Sequence, residues 1–376
     1  MGKLLQIINS YQMPLKYLGT YGDSLKIHIG FSGILLEQLF NKEVIDACRK
    51  IIDIPLMLNG YRESKNIEII GMGYSHPIFP LIPYEDWDSQ VLQGKEIVKE
   101  VFGQEPKGFC PSPTGFCLDM IPVLKKHGYE YVVLDKSLSK SGPKRVAKDR
   151  HGQERYSSIG NIAYHGNEIG AVILGKSFDY SREVEFSADG HGIRSCACGS
   201  CGQRNPLIAD WLLIDDLICQ KIYGLPEDAE FWGGRFSPYV ERMFKTDLGV
   251  RSVFLRDLMH DWKVRHLISV QMDDRVTDSP PEVWDDRCAL AERRRVLDAV
   301  RQFSRNYHEL KSALLKKGDR SLSQEYVTGL LEKAHQWLLR SQTGCFFSEN
   351  GRWVASLYEN IKPGLILLKE VKRQVL

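Results

Sequence analysis

The sequence predicts an α/β protein whose sheet is parallel and is followed by a helical module. Four short runs of apolar, β-branched or aromatic residues, each bounded by turn residues, are typical of buried strands: 26–30, 67–72, 129–134 and 169–174. Patterns with helical periodicity lie between or beside them, at 33–51, 87–102 and 116–127. Alternation of this kind implies right-handed crossovers and a parallel sheet, either open or closed into a barrel.

The helical module is predicted from the C-terminal part of the chain. Apolar residues recur there at alternating steps of four and three: Val296, Val300, Phe303, Tyr307, Leu310 and Leu314. This spacing places them on one face of a long helix, and a second helix is predicted at 322–341. The composition shifts near 275–288, where a proline pair stands among several acids. We therefore expect a sheet domain at 1–285 and a helical domain at 286–376.

Composition and charge exclude several classes of protein. The 376 residues are 43% hydrophobic and 26% charged, which is too apolar for a disordered chain. Lys and Arg number 50 and Asp and Glu 48, so we expect neither nucleic acid nor an anionic membrane as a partner. No run of about 18 apolar residues predicts a membrane span. Nine mostly scattered cysteines and an N-terminus without secretory features predict a reduced, cytoplasmic protein.

Polar residues after the predicted strands are the candidates for a functional site, because parallel α/β folds carry their chemistry at the C-terminal ends of strands. His76 follows the strand at 67–72, in a loop made rigid by Pro77 and Pro80. Its imidazole is well placed to hydrogen-bond a substrate hydroxyl, although a histidine satisfied by loop backbone would look the same. The proline-rich loop at 108–119 is either a substrate loop or a plain βα connection.

Residues 226–236 combine acids with aromatic side chains. Asp228 and Glu230 stand beside Phe231 and Trp232, an arrangement that suits sugar binding. An aromatic ring packs on the apolar face of a pyranose, and a partly desolvated carboxyl group acquires a raised pKa suited to general acid catalysis. An acidic surface turn beside a buried tryptophan is the alternative interpretation.

The cysteine-rich segment could hold a metal. Cys196, Cys198 and Cys201, with His191 as a fourth ligand, offer the thiolate and imidazole donors that suit zinc, and an iron–sulfur cluster is a further candidate. A structural zinc site normally has two separated ligand pairs, and only one cluster is present unless Cys110 or Cys117 joins it. Reduced loop cysteines are the alternative.

Several segments, in order along the chain, resemble glycoside hydrolase family 57. FSGILLEQL at 31–39 is similar to that family's SG-x-LLEQL segment, and 67–83 resembles its strand followed by a histidine–proline loop. The segment at 108–135 resembles the motif that carries the family's nucleophile. The segment at 226–244 resembles the DAELFGHWW motif, and 334–347 resembles its late helix. The resemblance covers most of the chain.

The resemblance implies a fold, a chemistry and a set of site residues. It implies a (β/α)7 barrel followed by a helical domain, and a retaining mechanism on α-glucans that requires no cofactor. The family's acid/base falls on Asp228 and its second-motif histidine on His76. Trp232 and Glu230 are then candidates for substrate binding. Tyr11 joins them, at a position where the family usually has a histidine.

The family's nucleophile falls on Pro113, which has no ionisable group. Retaining hydrolysis needs two carboxyl groups roughly 5–5.5 Å apart. Three hypotheses follow. In the first, the protein is a divergent hydrolase or transferase that uses another carboxylate, with Asp179, Glu183 and Glu185 as candidates. In the second, it is a non-catalytic, glycan-binding pseudoenzyme or a subunit with a protein partner. In the third, it is a metal-binding protein that uses the cysteine cluster. The expected ligand is a glycan or another small molecule.

Overall fold

The computed structural model describes residues 2–112, 115–135, 158–174, 252–261, 267, 287–317, 322–344 and 354–375. The strands in these ranges are β1 Ile27–Gly30, β2 Ile67–Ile70, β3 Gly108–Phe109, β4 Tyr131–Asp135, β5 Ser158–Tyr164 and β6 Asn167–Leu174. The α-helices are α1 Gly2–Tyr21, α2 Gly33–Phe40, α3 Lys42–Cys48, α4 Ile54–Glu63, α5 Trp87–Phe102, α6 Met120–Lys126, α7 Leu255–Asp261, α8 Arg287–Lys317, α9 Leu322–Ser341 and α10 Val354–Val375.

The strands form a mainly parallel sheet. β1 pairs with β2, β3 with β4, and β4 with β6, all in parallel. A parallel bridge between Gly71 and Phe109 joins the end of β2 to β3, since the Gly71 amide donates to the Gly108 carbonyl and the Cys110 amide to the Gly71 carbonyl, each at 2.8 Å. The described strands therefore run in the order β1-β2-β3-β4-β6-β5. The predicted α/β class is confirmed.

β5 departs from the parallel pattern. It pairs antiparallel with β6 through a two-residue turn at His165 and Gly166, whose φ values are +47° and +76°. Positive φ at both turn residues is the geometry that matches the twist of a tight hairpin. Local sequence signals do not predict this hairpin, because its turn lacks the Asn-Gly or Asp-Gly pair that usually marks one.

Helices cover the outer face of the sheet, while α7 packs on the inner face. Ile69 of β2 lies in a buried cluster with α1, α2, α4 and α5, and Val132 of β4 lies in one with α5 and α6. Their neighbours along the strands, Ile70 and Tyr131, turn to the opposite face and pack with Leu255 of α7. This follows from the alternation of side chains along a strand. The sheet is thus buried on both faces.

The three C-terminal helices share one core with the connection between β2 and α5. The six seam residues of α8 predicted from the sequence, from Val296 to Leu314, are all buried, which confirms the amphipathic helix. They pack against α9 and α10 in a cluster that also contains Ile78 and Leu81. The helices are therefore joined directly to the loop that follows β2. In the part of the chain that is described, no helix is long and apolar enough to cross a membrane.

Candidate active site

Three segments meet at the C-terminal ends of the parallel strands. The loop 71–78 follows β2, the loop 110–112 follows β3, and Gly344 lies just beyond α9. The Ser112 hydroxyl donates to the Pro77 carbonyl at 3.0 Å, and the Gly344 amide donates to the His76 carbonyl at 3.2 Å. Ligand sites of α/β folds are built at this edge of the sheet, from loops such as these.

His76 occupies the centre of this junction. Its backbone is left-handed, with φ +51°, which is uncommon for a residue other than glycine and concentrates at functional sites. The side chain is half-buried, and desolvation lowers the pKa of the imidazole to about 4. The ring is therefore neutral near pH 7, and among the described residues none hydrogen-bonds it. A neutral imidazole can donate from one nitrogen and accept at the other, as binding of a sugar hydroxyl requires.

Tyr11 lies behind the sheet, in the cluster packed on the outer side of β1. Its ring is 4% exposed and stacks on Phe31 with the centroids 5.8 Å apart. Its carbonyl accepts a hydrogen bond from the Tyr61 hydroxyl at 2.5 Å. The structure thus places the ring in an apolar core, and its role in substrate binding stays a prediction.

The described cysteines and the serine of the segment after β3 are not activated nucleophiles. Burial raises the pKa of the Cys110 and Cys117 thiols to about 12, so both remain protonated and unreactive near pH 7. Cys110 packs with the inner-face cluster and Cys117 with the outer-face cluster. Ser112 is buried and its hydroxyl is committed to Pro77. Pro113, where the nucleophile is lost by resemblance, falls outside the described residues.

The other predicted site residues also fall outside the described residues, in the stretch 175–251. They are Asp228, Glu230, Trp232, His191, Cys196, Cys198 and Cys201. The assignments of an acid/base, of sugar-binding aromatic residues and of a metal cluster therefore stay predictions. Within the ranges that the structure describes, no three His, Cys, Asp or Glu side chains are grouped as metal ligands would be.

A buried polar network that the sequence patterns do not predict lies beside the loop 71–78. The Asp86 side chain is fully buried, accepts a hydrogen bond from the Gln342 side-chain amide at 2.5 Å and lies 2.7 Å from Nε2 of His308. The Gln90 side-chain amide donates to Oε1 of Gln342 at 2.9 Å and to the Leu339 carbonyl at 3.1 Å. These bonds join α5 and the turn before it to α8 and α9.

The network reaches the residue before His76. The Gln90 side-chain oxygen accepts from the Ser75 amide at 3.0 Å and from the Ser75 hydroxyl at 3.2 Å. Gln90 lies on the buried face of α5 with Trp87, Val91 and Val98. A polar residue on the apolar face of a predicted amphipathic helix is the signal that could have pointed to this network, since a buried amide needs partners.

A second buried acid, Glu68, lies on the inner face of the sheet. Its Oε1 accepts from the Tyr131 hydroxyl at 2.8 Å, and its Oε2 lies 3.3 Å from the His28 ring and from the Arg256 amide. Burial raises the carboxyl pKa, but the interactions with His28, Tyr131 and Arg256 outweigh it and the net shift is downward. Glu68 and His28 are each the second residue of a four-residue strand, below the C-terminal edge. We therefore assign Glu68 to the docking of α7.

The described fold and site define a class: an α/β protein with a mainly parallel sheet and a loop-built site at the strand ends, closed on one side by a helical bundle. The sequence model of Glycosyl hydrolase family 57 matches residues 7–271. The chain therefore belongs to glycosyl hydrolase family 57, as its motifs predicted.

Individual relatives agree with this assignment. An alpha-amylase of Pyrococcus abyssi is 30% identical over 128 residues, which are 34% of this chain and 18% of that enzyme. The alignment thus spans about a fifth of that relative's length. A family 57 branching enzyme from Thermococcus kodakaraensis, solved with glucose, has a TM-score of 0.61 at 14% identity, covering 99% of this chain and 85% of that one. The alpha-amylase AmyC of Thermotoga maritima has a TM-score of 0.58 at 14% identity, with 99% and 89% covered. At these identities the structural likeness shows the fold alone.

Proposed function

We propose that this protein binds an α-glucan at the C-terminal edge of its sheet and that His76 contacts a sugar hydroxyl there. The observation that carries the proposal is the neutral, half-buried imidazole where two loops and the end of α9 meet. Membership of glycosyl hydrolase family 57 supports a glycan as the ligand. The local identity to an alpha-amylase supports an α-glucan in particular.

The proposal includes a closed (β/α)7 barrel. The continuous order of the described strands supports closure, as does the burial of both sheet faces. Trp232 and Glu230 lie close in sequence to Asp228, the acid/base position by resemblance, and we propose that both contact the glycan.

We propose that any catalysis does not follow the family's retaining mechanism. Asp228 is the proposed general acid/base, whereas Pro113 cannot form a glycosyl ester. A retaining reaction would need a second carboxylate within about 5–5.5 Å of Asp228. Without one, the protein is a glycan-binding pseudoenzyme or a subunit of a larger assembly.

Calorimetry with maltoheptaose tests the binding proposal. His76→Ala removes one hydrogen-bonding group and should weaken binding about tenfold, the equivalent of about 1.4 kcal/mol. His260→Ala, at an exposed position of α7, is the matched control and should bind as the wild type does. Wild-type affinity in His76→Ala would overturn the role of His76, and absence of wild-type binding would overturn the α-glucan proposal.

Turnover separates the enzyme from the pseudoenzyme. If the protein is a divergent enzyme, it releases reducing ends from maltoheptaose or transfers glucose units, and Asp228→Asn loses that activity. Binding without turnover in the wild type identifies the pseudoenzyme. Turnover that survives in Asp228→Asn would remove Asp228 as the acid/base.

The metal content of the purified protein tests the metal-binding alternative and requires no glycan. Elemental analysis of anaerobically purified protein should give about one zinc, or the iron of one cluster, per chain if Cys196, Cys198, Cys201 and His191 form a site. Less than a tenth of that amount would exclude it. The glycan proposal requires no cofactor.

A further inference from the structure

The backbone around His76 is held from several sides. The Ser75 amide donates to Gln90, the His76 amide donates to the Gly73 carbonyl at 2.9 Å, and the His76 carbonyl accepts from Gly344 at 3.2 Å. The next carbonyl, of Pro77, accepts from Ser112 at 3.0 Å. The partners come from α5, from the loop after β3, from the end of α9 and, for the His76 amide, from the loop 71–78 itself. Three other elements thus hold the backbone around His76.

These hydrogen bonds are needed because the backbone conformation of His76 is unfavourable. A left-handed conformation is unfavourable for a residue with a Cβ and persists only where the surroundings over-determine it. Released from its bonds, the chain at His76 would relax toward negative φ. The imidazole would then leave its present direction.

The end of α9 can approach His76 only because residue 344 is glycine. A Cβ at Gly344 would lie 2.9 Å from the His76 carbonyl oxygen and 3.3 Å from Cγ1 of Ile78. The first of these neighbours is backbone, which cannot rotate away. Any side chain at 344 would therefore push the α9 end and the His76 loop apart.

The side chain of Gln342, two residues before Gly344, also holds the end of α9 in place. It accepts from Gln90 with its oxygen and donates to Asp86 with its nitrogen, so the orientation of its amide is set by both partners. Gln90 in turn accepts the Ser75 amide. A continuous chain of bonds runs from the buried Asp86 carboxylate to the residue before His76.

We propose that Gln90, Gln342 and Gly344 are positioning residues, which hold His76 in its left-handed conformation and so aim its imidazole at the glycan. The proposal rests on the proposed function for the identity of the ligand. The C-terminal helices thereby act in ligand recognition through the backbone of the β2 loop.

The principal test compares two glycine substitutions near or within the same helix. Gly344→Ala should displace His76, whereas Gly329→Ala in α9 introduces a Cβ with nothing within 4 Å. NMR of protein with labelled histidine gives the titration of the His76 ring, assigned by its loss in His76→Ala. In Gly344→Ala we expect that titration to move from about pH 4 toward 6.5 and the affinity for maltoheptaose to fall at least fivefold. Gly329→Ala should change neither.

A double-mutant cycle distinguishes positioning from general damage. If Gly344 acts through His76, then adding Gly344→Ala to His76→Ala causes no further loss of affinity. Equal losses in both backgrounds, or a Gly344→Ala protein with wild-type titration and affinity, would overturn the proposal.

Gln342→Ala provides a second route if Gly344→Ala does not fold, because it removes bonds without adding a clash. It should move the His76 titration in the same direction and weaken binding, and an unchanged titration would count against the proposal. If wild-type protein binds no maltoheptaose, the proposed function fails, but the NMR titrations of Gly344→Ala and Gln342→Ala still decide whether these residues position His76.

Discussion

His335 shows how burial without a partner makes a residue sensitive to acid. Its ring stacks on Tyr307 with centroids 4.7 Å apart and planes within 4°, and its Nε2 has no hydrogen-bond partner among the described residues. Burial lowers its pKa to about 4. Between pH 6.5 and 4, His335 is therefore protonated in the unfolded chain but not in the folded chain. The free energy of unfolding falls as the pH is lowered through that range.

His335→Phe should remove this sensitivity. Phenylalanine keeps the stack on Tyr307 and leaves no buried nitrogen without a partner, so we expect the variant to be equal to the wild type or about 1 kcal/mol more stable at pH 7. At pH 5 its advantage should grow by roughly 1–2 kcal/mol. Urea unfolding at the two pH values measures both effects. His260→Phe is the exposed control, and equal acid sensitivity in His335→Phe and wild type would contradict the argument.

Asp86 is the residue whose loss should cost most stability in the polar network. Asp86→Ala leaves His308 and Gln342 without their acceptor in a buried place. Leaving a buried polar group without its hydrogen-bond partner costs about 1–3 kcal/mol for each such group. Asp298→Ala removes an acid whose side chain is 75% exposed and should change the free energy of unfolding by less than about 0.5 kcal/mol. A loss below about 1 kcal/mol in Asp86→Ala would show that the network contributes little.

At the scale of elements, α5 depends on a close approach to the loop after β2. A Cβ at Gly94 would lie 2.2 Å from the Met72 carbonyl oxygen and 2.9 Å from the Tyr74 nitrogen. Gly94→Ala should therefore destabilise the protein by about 2–3 kcal/mol through overpacking. Gly329→Ala in α9 should stabilise it by about 0.5–1 kcal/mol, because only helix propensity changes there. Thermal unfolding compares the two, and equal effects would refute the close approach.

The elements that the sequence predicted well are those with complete local signals. For α5 the bounds 87–102 were predicted as observed, because its apolar face is regular and Gly103 ends it with φ +68°. The helix predicted at 33–51 is instead two helices. Asn41 ends α2 and caps α3, its side chain accepting from the Glu43 amide at 2.8 Å. Apolar spacing continues across that break, so periodicity alone could not locate it.

Only those parts of the candidate site that depend on neighbouring residues in the sequence could be predicted. The place of His76 followed from the end of a predicted strand, and the structure puts it at that edge. The Gln90–Gln342 bond joins residues 252 positions apart, and no local pattern encodes such a pair. Its partners find each other only after the C-terminal helices have packed against the loop that follows β2.

At the scale of the whole molecule, the sheet and the C-terminal helices stabilise each other through a shared core and shared hydrogen bonds. Ile78 and Leu81 from the β2–α5 connection are buried in the core of α8, α9 and α10. Glu37 of α2 accepts from Arg340 of α9 at 2.8 Å and from the Tyr74 hydroxyl at 2.5 Å. Separating the helices from the sheet would therefore expose apolar surface and leave polar groups without partners.

We therefore expect the sheet and the helices to unfold together. Hydrogen exchange of peptides from α4 and α9 should report the same free energy of global opening. Leu81→Ala, at a residue 6% exposed, should lower both values equally by about 2–5 kcal/mol. Leu56→Ala, at a residue 67% exposed, is the control and should lower neither by more than about 0.5 kcal/mol. If Leu81→Ala lowers protection in α9 alone, the helices form a separate folding unit, and the proposed glycan site would depend on a contact that can open while the sheet stays folded.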